Sequence, residues 1–176
     1  MLESVRRQIA LGRFEEAVEM ARVAFSARPD DPDFATPLGV ALQHAGQITE
    51  AEYVFRVAAE SSKATSQNLC NWAEFLMSQA RYREAASIAQ SRTNDERLAE
   101  VGIVALAQLG EAEHALAAAE RARLIFPNCR AINVHRLLLM LYPSSISDAE
   151  ILEAHREHGK RVEAGTRPIG PHFNSK

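Results

Sequence analysis

The feature that most constrains this chain is a recurrence every thirty-four residues. Gly12 and Gly46 are 34 apart, as are Ala17 and Ala51, Ala51 and Ala85, and Ala24 and Ala58. The local strings align as GRFEEA (12–17), GQITEA (46–51), ARYREA (80–85) and GEAEHA (110–115). The last step, from Ala80 to Gly110, is 30 residues and so falls short by four. That deficit is expected in the polar stretch SRTNDER (91–97), where a helix can be trimmed without disturbing a core. A fixed period of this size marks a chain of stacked supersecondary units, none able to bury its apolar face alone.

Each unit has a physical reading. Gly at the head of the string can take the left-handed conformation that closes a helix. A short turn follows, then a second helix whose small residue (Ala17, Ala51, Ala85, Ala115) lets it approach the first closely. Gly39 and Ala73 play that part midway along the first helix of their units, and larger side chains such as Leu38, Leu42, Phe55, Trp72 and Leu76 fill the remaining volume. Pro29 and Pro127 stand where second helices should stop. The pattern predicts helices at 2–11, 14–27, 33–45, 48–62, 66–79, 82–91, 95–108, 111–125 and 129–141, with Asp31 and either Asn94 or Asp95 as caps. Pro37 lies inside the third, where an interior proline costs about 3 kcal/mol, so that helix is expected to start late or kink.

An apolar–Gly/Ala pair, then Leu, then G-x-aromatic-x-x-A and a closing Pro resembles the tetratricopeptide repeat. Residues 1–31, 32–65 and 96–129 match it well, 66–95 is a shortened copy, and a degenerate fifth begins near Arg130. Lys63 in place of the closing Pro, Ala80 for the turn Gly and Ala112 for the turn aromatic depart from the pattern. The fold class expected is all-α, a right-handed α-solenoid of tetratricopeptide-type helix hairpins with an extra C-terminal helix.

After Tyr142-Pro143 the register is lost. Ser147 and Glu150 form a capping-box pattern, so a helix should follow to about Glu163, with Ile151, Leu152, His155 and Val162 as its buried stripe. Gly165, Pro168, Gly170 and Pro171 then read as a tail. The chain thus divides into a repeat array (1–142), a capping or linker helix (143–163) and a flexible tail (164–176). The run LLLMLYPSSISDAEILEAHREHGKRVE (137–163) also resembles the segment that joins repeats to catalytic region in SPINDLY-type proteins, relatives of protein O-linked N-acetylglucosamine transferases. The shared features are the Leu-rich helix ending in Tyr142-Pro143, the SDAEI start, and Ala154-His155-Arg156 before Gly159, while His158 departs from a usual aromatic. That resemblance implies a nucleotide-sugar transferase region beginning roughly where this sequence stops; none of its catalytic residues has a counterpart here.

Charge and chemistry narrow the function. With 20 Lys+Arg against 23 Asp+Glu the formal net charge is −3, without the basic excess that nucleic acid or an anionic membrane surface would demand. The longest apolar run, Leu137 to Tyr142, is far short of the ~20 residues a bilayer needs. No secretory signal is legible, and Cys70 and Cys129 read as free thiols, so a cytoplasmic location is expected. His155 and His158 share a helix face but have no evident third ligand, and Asp30, Asp31 and Asp33 read as capping and turn residues. No nucleophile, base and oxyanion set can be assembled. The chain is expected to be no enzyme, to need no cofactor and to bind no metal.

What remains is a binding surface. In tetratricopeptide arrays the first helix of each pair lines a concave face that receives a protein or peptide ligand. Projecting the period places Gln43, His44, Gln67, Cys70, Asn71, Glu74, Ser78, Arg97, Glu100, Val104 and Gln108 on that face. The Lys/Asn/Arg clamp of chaperone-tail-binding members is not recognisable. Of the asparagine ladder in animal O-linked N-acetylglucosamine transferases, Asn71 alone matches, with Pro37, Val101 and His135 at the equivalent places. The expected function is a protein-interaction module, the N-terminal repeat part or a truncated relative of a SPINDLY-type transferase. A free-standing adaptor is the alternative. Nothing in the sequence fixes a partner or an oligomeric state.

Overall fold

The computed structural model describes residues 1–29, 31–92 and 94–165. Among them the chain is helical throughout its regular structure, with ten helices and no strand. They are α1 (Leu2–Ala10), α2 (Phe14–Ala27), α3 (Pro32–His44), α4 (Ile48–Glu60), α5 (Ser66–Ser78), α6 (Tyr82–Gln90), α7 (Glu96–Gln108), α8 (Ala112–Ile125), α9 (Arg130–Leu139) and α10 (Asp148–Gly165).

The hairpins close as the repeated strings require. Gly12, Gly46 and Gly110 take φ of 72°, 77° and 77°, and Ala80 takes 57° at the same place in its hairpin. A left-handed residue there lets the next N–H turn back to the end of the first helix, as Gln47 N donates to Leu42 O and Arg81 N to Leu76 O. The four matched alanines, Ala17, Ala51, Ala85 and Ala115, are all fully buried. A Cβ added to Gly39 would lie 3.0 Å from the Phe55 ring, so α3 and α4 meet at a separation that glycine sets. One continuous core runs through α1 to α9 and is joined by large side chains such as Phe55, Phe75, Leu38 and Ile103.

Two expectations are revised. Pro37 neither delays nor breaks α3, which starts at Pro32 and continues helical to His44. Asp31 caps it by accepting from Asp33 N at 3.1 Å, and Pro32 occupies the first turn at no cost. The N–H that Pro37 lacks would have served Asp33, an exposed first-turn residue whose carbonyl water can satisfy, while the ring itself is buried. The four-residue deficit falls where expected, trimming α6 to 9 residues where α4 has 13 and α8 has 14. The second revision concerns α10, which does not bury its expected stripe. Leu152 and Val162 are 51% and 46% exposed and His155 is exposed; Ala154 is the residue α10 buries, packed with Leu137 and Met140. The helix meets α9 along Ile151, Ala154, His158 and Arg161, a face rotated from the one that hydrophobicity indicates. Its start is as expected: Glu150 Oε2 accepts from Ser147 N (2.8 Å) and Oγ (2.7 Å), and Ser147 Oγ accepts from Glu150 N. The helix reaches Gly165. Most of the expected tail, 166–176, lies outside the described residues, as does Asp30 of the acidic cluster.

Candidate functional site

Helices α1, α3, α5, α7 and α9 each touch the next across one hairpin, forming a continuous inner layer, with α2, α4, α6 and α8 outside it. Residues that this layer does not bury against its partners face a shared surface. Among the described residues, clefts open there between α1, α3 and α5 and between α5 and α7.

The first, about 300 Å3, lies between α1, α3 and α5 and is lined by Arg6, Ile9, Asp33, Thr36, Pro37, Val40, Thr65, Gln67 and Asn68. Asn68 is its organiser. The side chain is buried (4% exposed); Oδ1 accepts from Thr65 N and Oγ1, both at 2.8 Å, and Nδ2 donates to Thr36 Oγ1 at 2.9 Å. One amide therefore caps α5 and ties it to α3. Gln67 donates to Asn71 Oδ1 at 2.9 Å, so the single ladder-type asparagine is engaged along its own helix.

The second cleft, about 340 Å3, lies between α5 and α7 and is lined by Glu74, Met77, Arg97, Glu100, Val101 and Val104. Arg97 reaches across and donates from Nε and Nη2 to the two Glu74 oxygens, each at 2.8 Å. This fork-to-fork geometry fixes both side chains over the apolar floor. His135 of α9 comes within 3.7 Å of Glu100 Oε1 and extends the surface to the next helix.

The structure therefore brings Glu74, Arg97, Glu100 and Val104 to one cleft and Gln67 to the other. Gln43 donates to Ser78 Oγ at 3.1 Å, joining α3 to α5 near their C-terminal ends. His44 is stacked on Phe14, with ring centroids 4.8 Å apart and planes 13° from parallel, at the turn edge of the first hairpin. Gln108 is exposed at the end of α7. Cys70 is not on the surface at all. It is 1% exposed, and its thiol donates to Asp95 Oδ1 at 3.6 Å while Asp95 caps α7 through Leu98 N at 2.9 Å. Burial, reinforced by the Asp95 carboxylate, pushes the thiol up to about 12. Val101 and Pro37, at two of the three other ladder places, are buried, while His135 at the third is half-buried.

Sequence reasoning missed Asn68, although Thr-x-x-Asn at a helix start is a variant of the capping box. It also missed Val134, Leu138 and Tyr142, which are 36%, 53% and 72% exposed. They stand 34 residues after Glu100, Val104 and Gln108, so the period points to them. Among the described residues no group of three or more His, Cys, Asp or Glu side chains is placed to hold a metal, and no helix is long and apolar enough to cross a membrane.

No known family's sequence profile matches the chain, and no curated protein is similar to it in sequence. Solved structures are similar in fold. MamA (41-end) from Desulfovibrio magneticus RS-1 superposes with a TM-score of 0.68 at 17% identity, over 93% of this chain and 92% of that one. The pilF protein of Pseudomonas aeruginosa gives 0.72 at 19% identity, over 95% and 76%. YrrB, described as a TPR protein with an unusual peptide-binding site, gives 0.63 at 13% identity, over 93% and 89%. The fold is that of a tetratricopeptide-type α-solenoid. These likenesses concern the path of the backbone, and no catalytic family is among them.

Proposed function

We propose that this chain is a protein-interaction module that holds a peptide segment of a partner against the inner layer between α5 and α9. One observation carries the reading: the cleft of about 340 Å3 whose walls are Glu74, Arg97 and Glu100 and whose floor is Met77, Val101 and Val104. It has the size to receive a side chain, an apolar base to desolvate it, and fixed charges at the rim to orient what carries it. A rigid stack of hairpins supplies preorganisation, which lowers the entropic cost of binding. YrrB, with the same fold, is described by its peptide-binding site, and that precedent supports a peptide as the ligand class.

The wider role proposed is recruitment of acceptor or partner proteins, as the repeat part or a truncated relative of a SPINDLY-type transferase. Its support is the segment 137–163, where the Leu-rich α9, Tyr142-Pro143 and the capped start of α10 follow in the order that the resemblance implies. A free-standing adaptor fits the same geometry equally. The test is addition of this chain to a SPINDLY-type catalytic region that lacks repeats of its own. Acceptor modification should rise, and Arg97→Glu should abolish the rise. No rise with either form removes the transferase role and leaves the adaptor; a rise indifferent to Arg97→Glu removes the cleft as the binding surface.

A further inference from the structure

The inner surface changes chemistry along the stack, and the change specifies a ligand. Near α3 and α5 the facing groups are amides and hydroxyls already satisfied within the fold, as in the Gln43–Ser78, Gln67–Asn71 and Asn68–Thr36 bonds. Beyond Glu74 the surface turns apolar. Met77, Val101 and Val104 floor the second cleft. One period later Leu138 occupies the place of Val104 and is 53% exposed, whereas Tyr142 lies past the end of α9, against the 110–114 turn. Leu138 lies one turn from His135, so helical spacing puts it on the side of α9 that faces Glu100. An exposed Leu on that side, next to an apolar cleft, enlarges the apolar surface that water covers poorly.

The charge beside this patch is unbalanced. Arg97 is held by both oxygens of Glu74, which leaves that pair neutral as a unit. Glu100 has His135 as its partner among the described residues, at 3.7 Å, longer than a hydrogen bond. The Glu100 side chain is 38% exposed, accessible to a cation arriving with a ligand.

We infer that the α5–α9 surface selects peptide segments in which apolar side chains lie close to a lysine or arginine. An apolar side chain enters the cleft over Val104, a second rests on Leu138, and the cation pairs with Glu100. Acidic segments are rejected by the same carboxylate. The inference rests on the peptide-binding reading and adds the sequence class that is bound.

The experiment is selection of a random-sequence peptide library displayed on phage against the full chain, followed by titration of the winning synthetic peptides. Enriched sequences should pair apolar residues with Lys or Arg. Glu100→Gln should weaken them about fivefold, the worth of one partly exposed ion pair, and added salt should do the same. Leu138→Asp should weaken them by about tenfold or more. Melts followed by circular dichroism establish that each variant is folded, and Glu100→Gln, at a partly exposed site, keeps the test open if an aspartate variant is not. Peptides that respond to Leu138→Asp but show no basic preference and ignore Glu100→Gln overturn this inference and leave the peptide-binding reading standing. Selected peptides that ignore every inner-face substitution overturn both. Self-association of the free chain that vanishes in Leu138→Asp would make a second copy the occupant and overturn the inference as well.

Discussion

Ala80 is held at φ 57°, where three other hairpins place glycine. A Cβ in this region costs about 1–2 kcal/mol, so Ala80→Gly should raise stability by up to about 1 kcal/mol once glycine's extra unfolded-state entropy is set against it. A higher midpoint in thermal or denaturant melts checks this. The departure is legible in sequence because Ala80 aligns with Gly12, Gly46 and Gly110. Gly102 is not. A Cβ there would stand 2.8 Å from the Ala89 Cβ, a fixed atom on α6 that cannot step aside. Gly102→Ala should therefore cost about 1–3 kcal/mol by the same melts. Ala51→Glu and Ala85→Glu, at fully buried positions, should each cost several kcal/mol, whereas Glu100→Ala should change stability by no more than about 0.5 kcal/mol. The thiols make a separate expectation. Burial raises both Cys70 and Cys129, aided at Cys70 by Asp95 and at Cys129 by Glu96. Alkylation at mildly alkaline pH should be slow in the folded chain and fast in denaturant, since the thiolate is the reactive form.

Element boundaries follow closely from capping and turn chemistry, because those signals are local. Which face of an element is buried follows only where the period holds. Along α1 to α8 the repeat fixes both the small residues and their neighbours, and the alanines are where the alignment puts them. At α10 there is no period to lean on. Hydrophobicity alone draws its stripe, but the neighbouring helix offers Asn133 and Leu137, and Arg161 donates to Asn133 Oδ1 at 3.3 Å. A polar anchor and one alanine orient the helix instead. This makes α10 the most weakly held element of the array, and its start depends on a carboxylate. The hydrogen bonds from the Ser147 hydroxyl and backbone hold Glu150 below the usual carboxylate range. A depressed carboxylate stabilises above its unfolded pKa and is lost as pH falls through the lower folded value. Amide exchange at the start of α10 should thus quicken, relative to α4, as pH drops below the ordinary range for glutamate, and Ser147→Ala should remove that pH dependence. Equal protection of α10 and α4 at all pH values would contradict it.

For the whole molecule, stability is a sum over neighbours, since among the described residues no helix touches another more than one hairpin away. The fold is readable for that reason: each contact type repeats, so one correct unit predicts the others. The surface is less readable, because the period says which positions face inward but not which of them the fold itself consumes. Cys70 goes to cap-side packing and His44 to Phe14, while Leu138 and Tyr142 are left facing out. The short α6 ties these scales together. It lets α7 settle against Ala89 through Gly102, next to the helix pair that Glu74 and Arg97 bridge. An insertion of four residues after Gln90 would restore an even stride yet pull that seam apart. Four extra helical residues would push everything downstream about 6 Å along α6 with a net rotation of about 40°, so units on either side of Gln90 are not interchangeable parts, and consensus redesign must carry the irregular step over intact.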